Sequence, residues 1–275
     1  MLLQNDVLAE FGELVASGRC NSYKGPLFAG VDLGTANTVL AVVDSDGHPV
    51  AGATARSKGV RDGIVVDYIG TVQAVSRMKA ALEEKLGAEL SVAATAIPPG
   101  IIEGNVKCIV NVVEGAGFEV KSVADEPSAA AELLDIQEGA VVDVGGGTTG
   151  ISILKDGKVV FTADEPTGGT HMSLVTAGYY GIPFEEAEAM KLDPAREEDV
   201  FPLVVPVIEK MAMIVRKYIA GKDVKDIYVV GGAATFQAFE KVFEKVLHTS
   251  VYKPNDTLFV TPLGIAIHCR EAQLG

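Results

Sequence analysis

Two stretches of this 275-residue chain decide its fold, Asp32-Leu33-Gly34-Thr35-Ala36-Asn37-Thr38 and Asp143-Val144-Gly145-Gly146-Gly147-Thr148-Thr149. Each follows an apolar run typical of a β-strand and leads into a second alternating run, so each predicts a hairpin. Both turns contain an acid, glycines and hydroxyls. Small residues let backbone N–H groups approach a polyphosphate, and a carboxylate can hold a hydrated divalent cation. The two turns therefore predict a pair of hairpins that face each other across one phosphate ligand.

The bulk composition narrows the classes of function. The chain has 23 basic and 37 acidic residues, and its net charge of -14 repels phosphate backbones and anionic lipids, so we expect no nucleic acid and no membrane as partner. A hydrophobic content of 48% suits one large core or two ordinary ones. The three cysteines are scattered, and no leader or long apolar span is visible. We therefore expect a cytoplasmic protein.

Residues 1–26 form a predicted N-terminal helical extension and linker. Apolar residues from Leu3 to Val15 repeat at helical spacing, and the segment from Gly18 to Gly25 supplies a stop and a linker. The amphipathic helix either packs on its own domain, or docks on a partner or acts as a targeting tag. The sequence leaves these alternatives open.

From residue 27 onwards, strands alternate with helices, which predicts an α/β fold. The hairpin meander at 28–54 recurs at 141–162, so the chain reads as two related halves. We expect a first lobe over 27–139 and a second over 140–260. A C-terminal helix within 261–275 is expected to return to the lobe interface.

Six segments together carry a family resemblance. In chain order they are 32–38, 125–130, 143–149, 168–169, 229–232 and 262–266. They resemble the phosphate 1, connect 1, phosphate 2, following glycine pair, adenosine and connect 2 motifs of the actin-like ATPase superfamily, which includes DnaK-type chaperones, MreB and FtsA. The resemblance implies an actin-like ATPase fold, with two ribonuclease H-like lobes around a central nucleotide cleft. It also implies ATP and Mg²⁺ as cofactors.

Four phrases narrow the resemblance within the superfamily. Those at 60–65, 163–165, 167–169 and 261–263 are similar to a compact DnaK-like family of ethanolamine utilization proteins. This implies a chaperone-like role with a protein partner, either an ethanolamine pathway enzyme or a component of its bacterial microcompartment. It also implies a cytoplasmic location or an association with the microcompartment.

The resemblance assigns roles to the two turns. Asp32 and Asp143 would face each other across Mg²⁺ through its waters, as metal-binding and catalytic residues. The residues that would contact the phosphates are Gly34, Thr35, Asn37, Gly145, Gly146, Gly147, Thr148, Gly168 and Gly169. For either turn alone, a tight hairpin that needs positive φ is the simpler interpretation. An acid ahead of both turns favours phosphate binding.

Glu126 is the candidate for orienting the water that attacks the γ-phosphate. It precedes Pro127, which disfavours a helical conformation at Glu126 and starts the next helix, so its carboxylate projects from a strand end. Asp125 is the second candidate. The alternative is a carboxylate that only stabilises the positive end of the helix dipole.

Two further pairs are candidates for binding the nucleoside. Glu188 and Lys191 lie three apart on one helix face and resemble a Glu-x-x-Lys pair that contacts ribose and flanks adenine. A solvated helix face with an ion pair is the alternative. Gly231 and Gly232 follow a buried strand and are expected to open a helix that takes adenosine and the α-phosphate, unless they only form a packing turn.

Three other features are less decisive. Lys58 and Arg61 are the candidates for a cation near the γ-phosphate, and His171 is close enough in sequence to the glycine pair to contact a ligand. The run Asp44-Ser45-Asp46-Gly47 resembles a calcium loop but lacks the later Glu, so it is expected to be a surface turn.

These features together predict a Mg-ATP-binding, slow ATPase whose lobe movements change its affinity for a protein partner. Two alternatives stay open. One is a scaffold that binds nucleotide without cleaving it, and the other is a small-molecule kinase of the same superfamily.

Overall fold

The computed structural model describes residues 4–274 as two lobes, each built on a five-stranded sheet. The strands are β1 (Phe28–Leu33), β2 (Asn37–Val43), β3 (Pro49–Arg56), β4 (Val60–Arg61), β5 (Ile64–Val65), β6 (Val92–Ile97), β7 (Glu119–Asp125), β8 (Gly139–Val144), β9 (Thr149–Lys155), β10 (Lys158–Glu165), β11 (Asp226–Val230) and β12 (Ser250–Tyr252). The short β4 and β5 form a separate two-stranded hairpin.

Helices cover the sheets and join the lobes. They are α1 (Asn5–Ser17), α2 (Tyr68–Leu86), α3 (Glu103–Gly115), α4 (Glu126–Leu133), α5 (Gly169–Tyr180), α6 (Phe184–Leu192), α7 (Glu197–Ile219), α8 (Phe239–Leu247) and α9 (Val260–Leu274). Within the described residues, none of these helices has both the length and the apolar character needed to cross a bilayer.

The two sheets repeat one topology. The first has the order β3-β2-β1-β6-β7 and the second has the order β10-β9-β8-β11-β12. In each, the first three strands are antiparallel neighbours and the last two add in parallel. The repeat confirms the predicted α/β class with two related halves.

The equivalent strands β1 and β8 lie at the centre of their sheets and carry the predicted acids near their carboxyl ends. Asp32 pairs in register with Val39 of β2, and Asp143 pairs with Gly150 of β9. The apolar residues of both strands are almost completely buried. Packing of these strands therefore fixes where each acid and the turn after it are presented.

Helices α4 and α9 join the two lobes. The first-half helix α4 contacts β8 and β9 of the second sheet, whereas the second-half helix α9 contacts β1, β2, β6 and β7 of the first. The two helices also cross each other closely, since a Cβ atom on Gly264 would lie 2.0 Å from the carbonyl oxygen of Ala129. His268 of α9 adds a 2.9 Å contact to the carboxylate of Glu132. Each lobe is therefore completed by a helix from the other half.

Replacing Gly264 with alanine is expected to lower the free energy of unfolding by about 2 kcal/mol, because the new methyl group overlaps backbone that cannot rotate away. Gly178→Ala is the matched control. Gly178 is an exposed helical glycine with nothing within 4 Å of its Cβ position, so alanine should stabilise that helix slightly. Urea denaturation of both variants checks the prediction, which is contradicted by equal stabilities.

Helix α1 packs on its own domain. Its apolar residues Leu8, Phe11 and Leu14 are buried, and the ring of Phe11 lies 5.2 Å from that of Phe259 in an edge-to-face arrangement. A Cβ on Gly52 of β3 would overlap the same ring, so the glycine makes room for the helix. The predicted helical residue Leu3 lies outside the described residues. Of the two interpretations of this helix, the structure supports self-packing.

Candidate functional site

A cleft between the lobes brings most of the predicted site residues together. Its lining includes Asp32, Gly34, Thr35, Asn37, Glu126, Asp143, Gly145, Gly146, Gly147, Thr148, Glu188, Lys191, Gly231 and Gly232. The two acidic turns therefore meet across a groove, as their sequence predicts. The enclosed space is about 80 Å³, which is well below the roughly 300–1,000 Å³ of a typical small-molecule pocket.

The cleft is small because the tips of the two turns touch. A Cβ on Gly146 would lie 2.9 Å from the Cβ of Ala36, so the tips are already in van der Waals contact. The backbone N–H groups of Thr35, Ala36, Gly146 and Gly147 donate no hydrogen bond within residues 4–274. Unpaired amides on two facing turns are suited to bind anionic oxygens.

Two carboxylates lie beneath the turns at the centre of the cleft. Burial, and then repulsion from Asp143, raises the pKa of Asp32 to about 7. Burial also raises the pKa of Asp143 to about 6, although the Thr261 hydroxyl opposes this by donating a 2.5 Å hydrogen bond. The carboxylate of Asp32 accepts no hydrogen bond within the described chain. The charged forms of both groups are therefore disfavoured until a cation joins them.

Glu126 is the first residue of α4, and its side chain lines the same cleft. Its pKa is raised well above the usual value, mainly by burial and then by the charges of Asp143 and Asp32. The second catalytic candidate, Asp125, has a different role. It is the N-cap of α4, accepting hydrogen bonds from the backbone and hydroxyl of Ser128 and from the Ser152 hydroxyl. Glu126 is therefore the carboxylate that the structure leaves available.

A further acid, Asp164, was not identified from the sequence. It lies near the end of β10, where the Thr148 hydroxyl bonds to it, and its pKa is raised to about 6, chiefly by burial. Its Oδ1 atom is buried without a hydrogen-bond partner. The phrase at 163–165 carries the residue, but only the fold of β9 and β10 brings it beside the second turn.

The carboxylates of Asp32, Glu126 and Asp143, which together we call the acidic chamber, fit a hydrated divalent cation. Hard cations such as Mg²⁺ prefer carboxylate oxygens and water. Of the three carboxylates that line the cleft, Asp143 accepts a hydrogen bond from Thr261, whereas Asp32 and Glu126 accept none within the described residues. In the described chain, Asp44, Asp46 and His48 form the one group of three or more potential ligands whose atoms all lie within 4.8 Å of one another. No three of the cleft carboxylates in the described chain lie so close together, so contact through the waters of an ion is the arrangement that suits them.

The Asp44 group is better explained as a turn. The Asp44 carboxylate accepts hydrogen bonds from the backbone of Lys24, Asp46 and His48. These bonds also lower its pKa against the effect of burial. Its oxygens are already used, which agrees with the expected surface turn.

Glu188 and Lys191 are buried, so the solvated-face alternative is wrong for this pair. Their charged atoms are 2.7 Å apart, and the Ser173 hydroxyl also bonds to Glu188. Arg56 approaches Glu188 from the first lobe at 3.6 Å. Burial lowers the pKa of Lys191 although Glu188 opposes the shift. The pair therefore lines the cleft as a preformed polar cluster that also contacts the opposite lobe.

Gly231 and Gly232 line the cleft but do not open a helix, so that part of the prediction is wrong. Residues 231–238 form turns, and α8 begins only at Phe239. Gly231 has a φ of +94°, and a Cβ there would lie 2.3 Å from an Asp143 carboxylate oxygen. Glycine is therefore required for the close approach of this turn to the acid.

Gly168 and Gly169 support the second turn from behind. The amide of Gly169 donates to the carbonyl of Gly145 at 2.9 Å, and the Thr170 amide donates to that of Gly146 at 2.8 Å. A Cβ on Gly168 would overlap the backbone of the same turn. Direct contact between this glycine pair and phosphate stays a prediction.

The short β4–β5 hairpin lies over both turns and was missed as an element. Asp62 and Gly63 at its tip have positive φ angles of 49° and 73°, as in a type I′ turn. The Asp62 amide donates to the Thr35 hydroxyl at 2.9 Å, and a Cβ on Gly147 would overlap the Asp62 carboxylate. The Asp-Gly pair between apolar residues is the signal that predicts this hairpin.

Comparison with known proteins shows which family the chain belongs to. It is 46% identical over 253 residues to the ethanolamine utilization protein EutJ of Escherichia coli strain K12, covering 92% of this chain and 89% of that protein. The chain belongs to the EutJ family. The crystal structure of EutJ from Carboxydothermus hydrogenoformans is 49% identical, with a TM-score of 0.91 over 96% of this chain and 97% of that one.

More distant similarities connect the EutJ family to the actin-like ATPases. The Hsp70 protein family matches residues 71–193, and the cell division protein FtsA family matches residues 140–264. MreB5 of Spiroplasma citri, solved bound to AMPPNP, gives a TM-score of 0.70 at 17% identity over 91% of this chain and 98% of that one. At this identity the likeness concerns the fold alone. The actin-like fold and the superfamily resemblance are confirmed.

Proposed function

We propose that this EutJ family protein binds Mg·ATP in the interlobe cleft and hydrolyses it slowly. One observation carries the proposal: unpaired amides from two facing turns adjoin the Asp32 and Glu126 carboxylates, which accept no hydrogen bond within residues 4–274. Amides suit the phosphates, and carboxylates suit the hydrated metal. The Glu188 and Lys191 cluster in the same cleft would supply polar groups for the ribose and base.

Each group in the cleft then has a proposed role. The amides of Thr35, Ala36, Gly146 and Gly147 would donate to phosphate oxygens, and Asp32 and Asp143 would hold a hydrated Mg²⁺. The metal would supply positive charge that neutralises the phosphates and stabilises ionised carboxylates nearby. The Glu126 carboxylate would orient a water toward the γ-phosphate.

Nucleotide binding in this cleft requires the lobes to move. Ala36 and Gly146 are in contact, so a phosphate between the turns must separate them. The α4–α9 crossing joins the lobes behind the cleft and is the natural axis for the movement. Such a movement can change the affinity for a protein partner, which we propose is an ethanolamine pathway enzyme or a component of its microcompartment. The protein would act in the cytoplasm or at the microcompartment surface.

Isothermal calorimetry of the whole chain tests nucleotide binding. ATP should bind with Mg²⁺, and the affinity should fall at least tenfold when the metal is removed, because the chamber carboxyls then repel the phosphates. Binding of ATP that is unaffected by metal, or no binding at all, contradicts the proposal.

Measurement of phosphate release separates the alternative functions. Tight Mg·ATP binding without any release would favour a nucleotide-binding scaffold. Release that depends on an added acceptor would favour a small-molecule kinase. Glu126 at the centre of the cleft favours activation of water instead.

A further inference from the structure

Besides the acidic cleft, two hollows lie beside the phosphate turns, and their charged lining is mainly basic. One hollow, of about 380 Å³, opens between the lobes, and the other, of about 220 Å³, lies between residues 56–59 and helix α2. Arg56, Ser57 and Lys58 line both of them, so the hollows adjoin. We call the two hollows together the outer groove.

The outer groove carries cations that have no partner. Lys58, Arg61 and Arg77 are exposed, and none of them forms an ion pair or a side-chain hydrogen bond within residues 4–274. Three acids line the groove, Asp62, Asp67 and Glu188, against five lysines and arginines. Glu188 is already paired with Lys191 and Arg56, and Asp67 accepts a hydrogen bond from the Gly70 amide as the N-cap of α2. In a chain of net charge -14, this local excess of positive charge is complementary to an acidic ligand.

Exposed apolar side chains accompany these cations. Val66 is 58% exposed and lines the groove, and Phe184 lines it from the second lobe. On the same hairpin and the start of α2, Ile64 and Ile69 are 46% and 68% exposed. Binding of a small anion requires cations that converge on one point, and apolar surface contributes nothing to it. Cations spread between Arg61 and Arg77, interleaved with apolar groups, suit an extended peptide.

The floor of the groove is formed by the phosphate turns themselves. Thr35, Ala36, Gly146 and Gly147 line both the outer groove and the nucleotide cleft. A ligand in the groove therefore lies directly over the place where the triphosphate is expected. Bound Mg·ATP keeps a net negative charge, so it should repel an acidic ligand above it, and the repulsion must act equally in both directions.

We propose that the outer groove binds an acidic segment with interspersed apolar residues from a protein partner, and that Mg·ATP weakens this binding. The second half of the proposal rests on the proposed nucleotide site, whereas the first half does not. The partner is thus held by the nucleotide-free protein and released when the cleft fills.

Fluorescence anisotropy of the full chain with a labelled peptide tests the groove. The probe is a peptide of about ten residues that alternates glutamate with leucine, and its counterpart carries glutamine in place of glutamate. Without nucleotide, the acidic peptide should bind at least tenfold more tightly than the glutamine peptide. Saturating Mg·ATP should weaken the acidic peptide at least threefold.

The double variant Lys58→Glu with Arg61→Glu should weaken the acidic peptide about tenfold without nucleotide. Its matched control is Lys155→Glu with Lys158→Glu, which reverses two exposed cations on either side of the turn between β9 and β10. An equal loss of affinity for the acidic peptide in both double variants would overturn the proposal. Equal binding of the acidic and the glutamine peptide would overturn it as well. If tripolyphosphate displaces the peptide, and if replacing its leucines does not change the affinity, the groove is a simple phosphate site instead. Peptide binding by a protein that fails to bind Mg·ATP would leave the groove intact and reject the nucleotide site.

Discussion

Changing Glu126 to glutamine is expected to lower the rate of phosphate release from bound Mg·ATP by about a hundredfold or more. Glutamine keeps the size of the side chain but cannot accept a proton or a strong hydrogen bond from water. ATP affinity should change little, because the groups proposed to bind the phosphates are the two turns and not this carboxylate. Single-turnover release of labelled phosphate is the measurement.

Glu132→Gln is the matched control for this variant. Glu132 lies on the same helix, but it contacts His268 and does not line the cleft. The control should hydrolyse ATP at the wild-type rate. An unchanged rate in the Glu126→Gln protein would remove Glu126 from the reaction. An equal fall in both variants would show that α4 is perturbed as a whole.

Changing Asp32 to asparagine should abolish most Mg·ATP affinity and at the same time make the nucleotide-free protein more stable. The affinity should fall, by at least tenfold, because one of the two groups proposed to hold the hydrated metal loses its charge. The stability rises because asparagine removes a carboxylate that is buried and repelled by Asp143. Opposite effects on binding and stability are the mark of a functional acid.

The pH dependence of stability follows from the raised pKa of Asp32. Its usual value is 3.8 and its value in the folded chain is about 7, so between these values the folded protein holds a proton that the unfolded chain has released. Stability should therefore fall as the pH rises through this range. Asparagine should remove that part of the fall, a gain on the order of 2 kcal/mol at about pH 8.

Urea denaturation at about pH 5 and pH 8, with calorimetry at the higher pH, measures both effects. Asp46→Asn is the matched control, because Asp46 is an exposed acid in the turn between β2 and β3. It should leave the pH dependence and the affinity unchanged. A less stable Asp32→Asn protein with normal ATP binding would show that Asp32 has a structural role only.

The sequence was sufficient to predict the repeated sheets, because the relevant signals are local. An apolar strand, a turn of acid and glycines and a second alternating strand occur twice, and both became central hairpins. The start of α8 was predicted too early, since residues 231–238 form turns that approach Asp143 and Thr257. That contact joins elements far apart in the chain, so no local pattern reports it.

The site was predicted less completely than the fold. The spacing of Glu188 and Lys191 places them on one face but cannot tell whether that face is buried, and only the structure excludes a solvated ion pair. Asp164 lies in a segment that carried only the family resemblance, and the pairing of β10 with β9 is what brings it beside the second turn. The two candidates Glu126 and Asp125 are adjacent, and they were distinguished only by the hydrogen bonds that Asp125 makes as a cap.

The exchange of α4 and α9 between the lobes has a consequence for how such a protein could arise. A chain ending near residue 138 would keep a full sheet, yet α4 would lack the surface of β8, β9 and α9 that it covers. A second copy of the same half could cover that surface with its own helix. A gene encoding one half could thus have made a homodimer, and its tandem duplication would join the two halves in a single polypeptide able to diverge on its two sides.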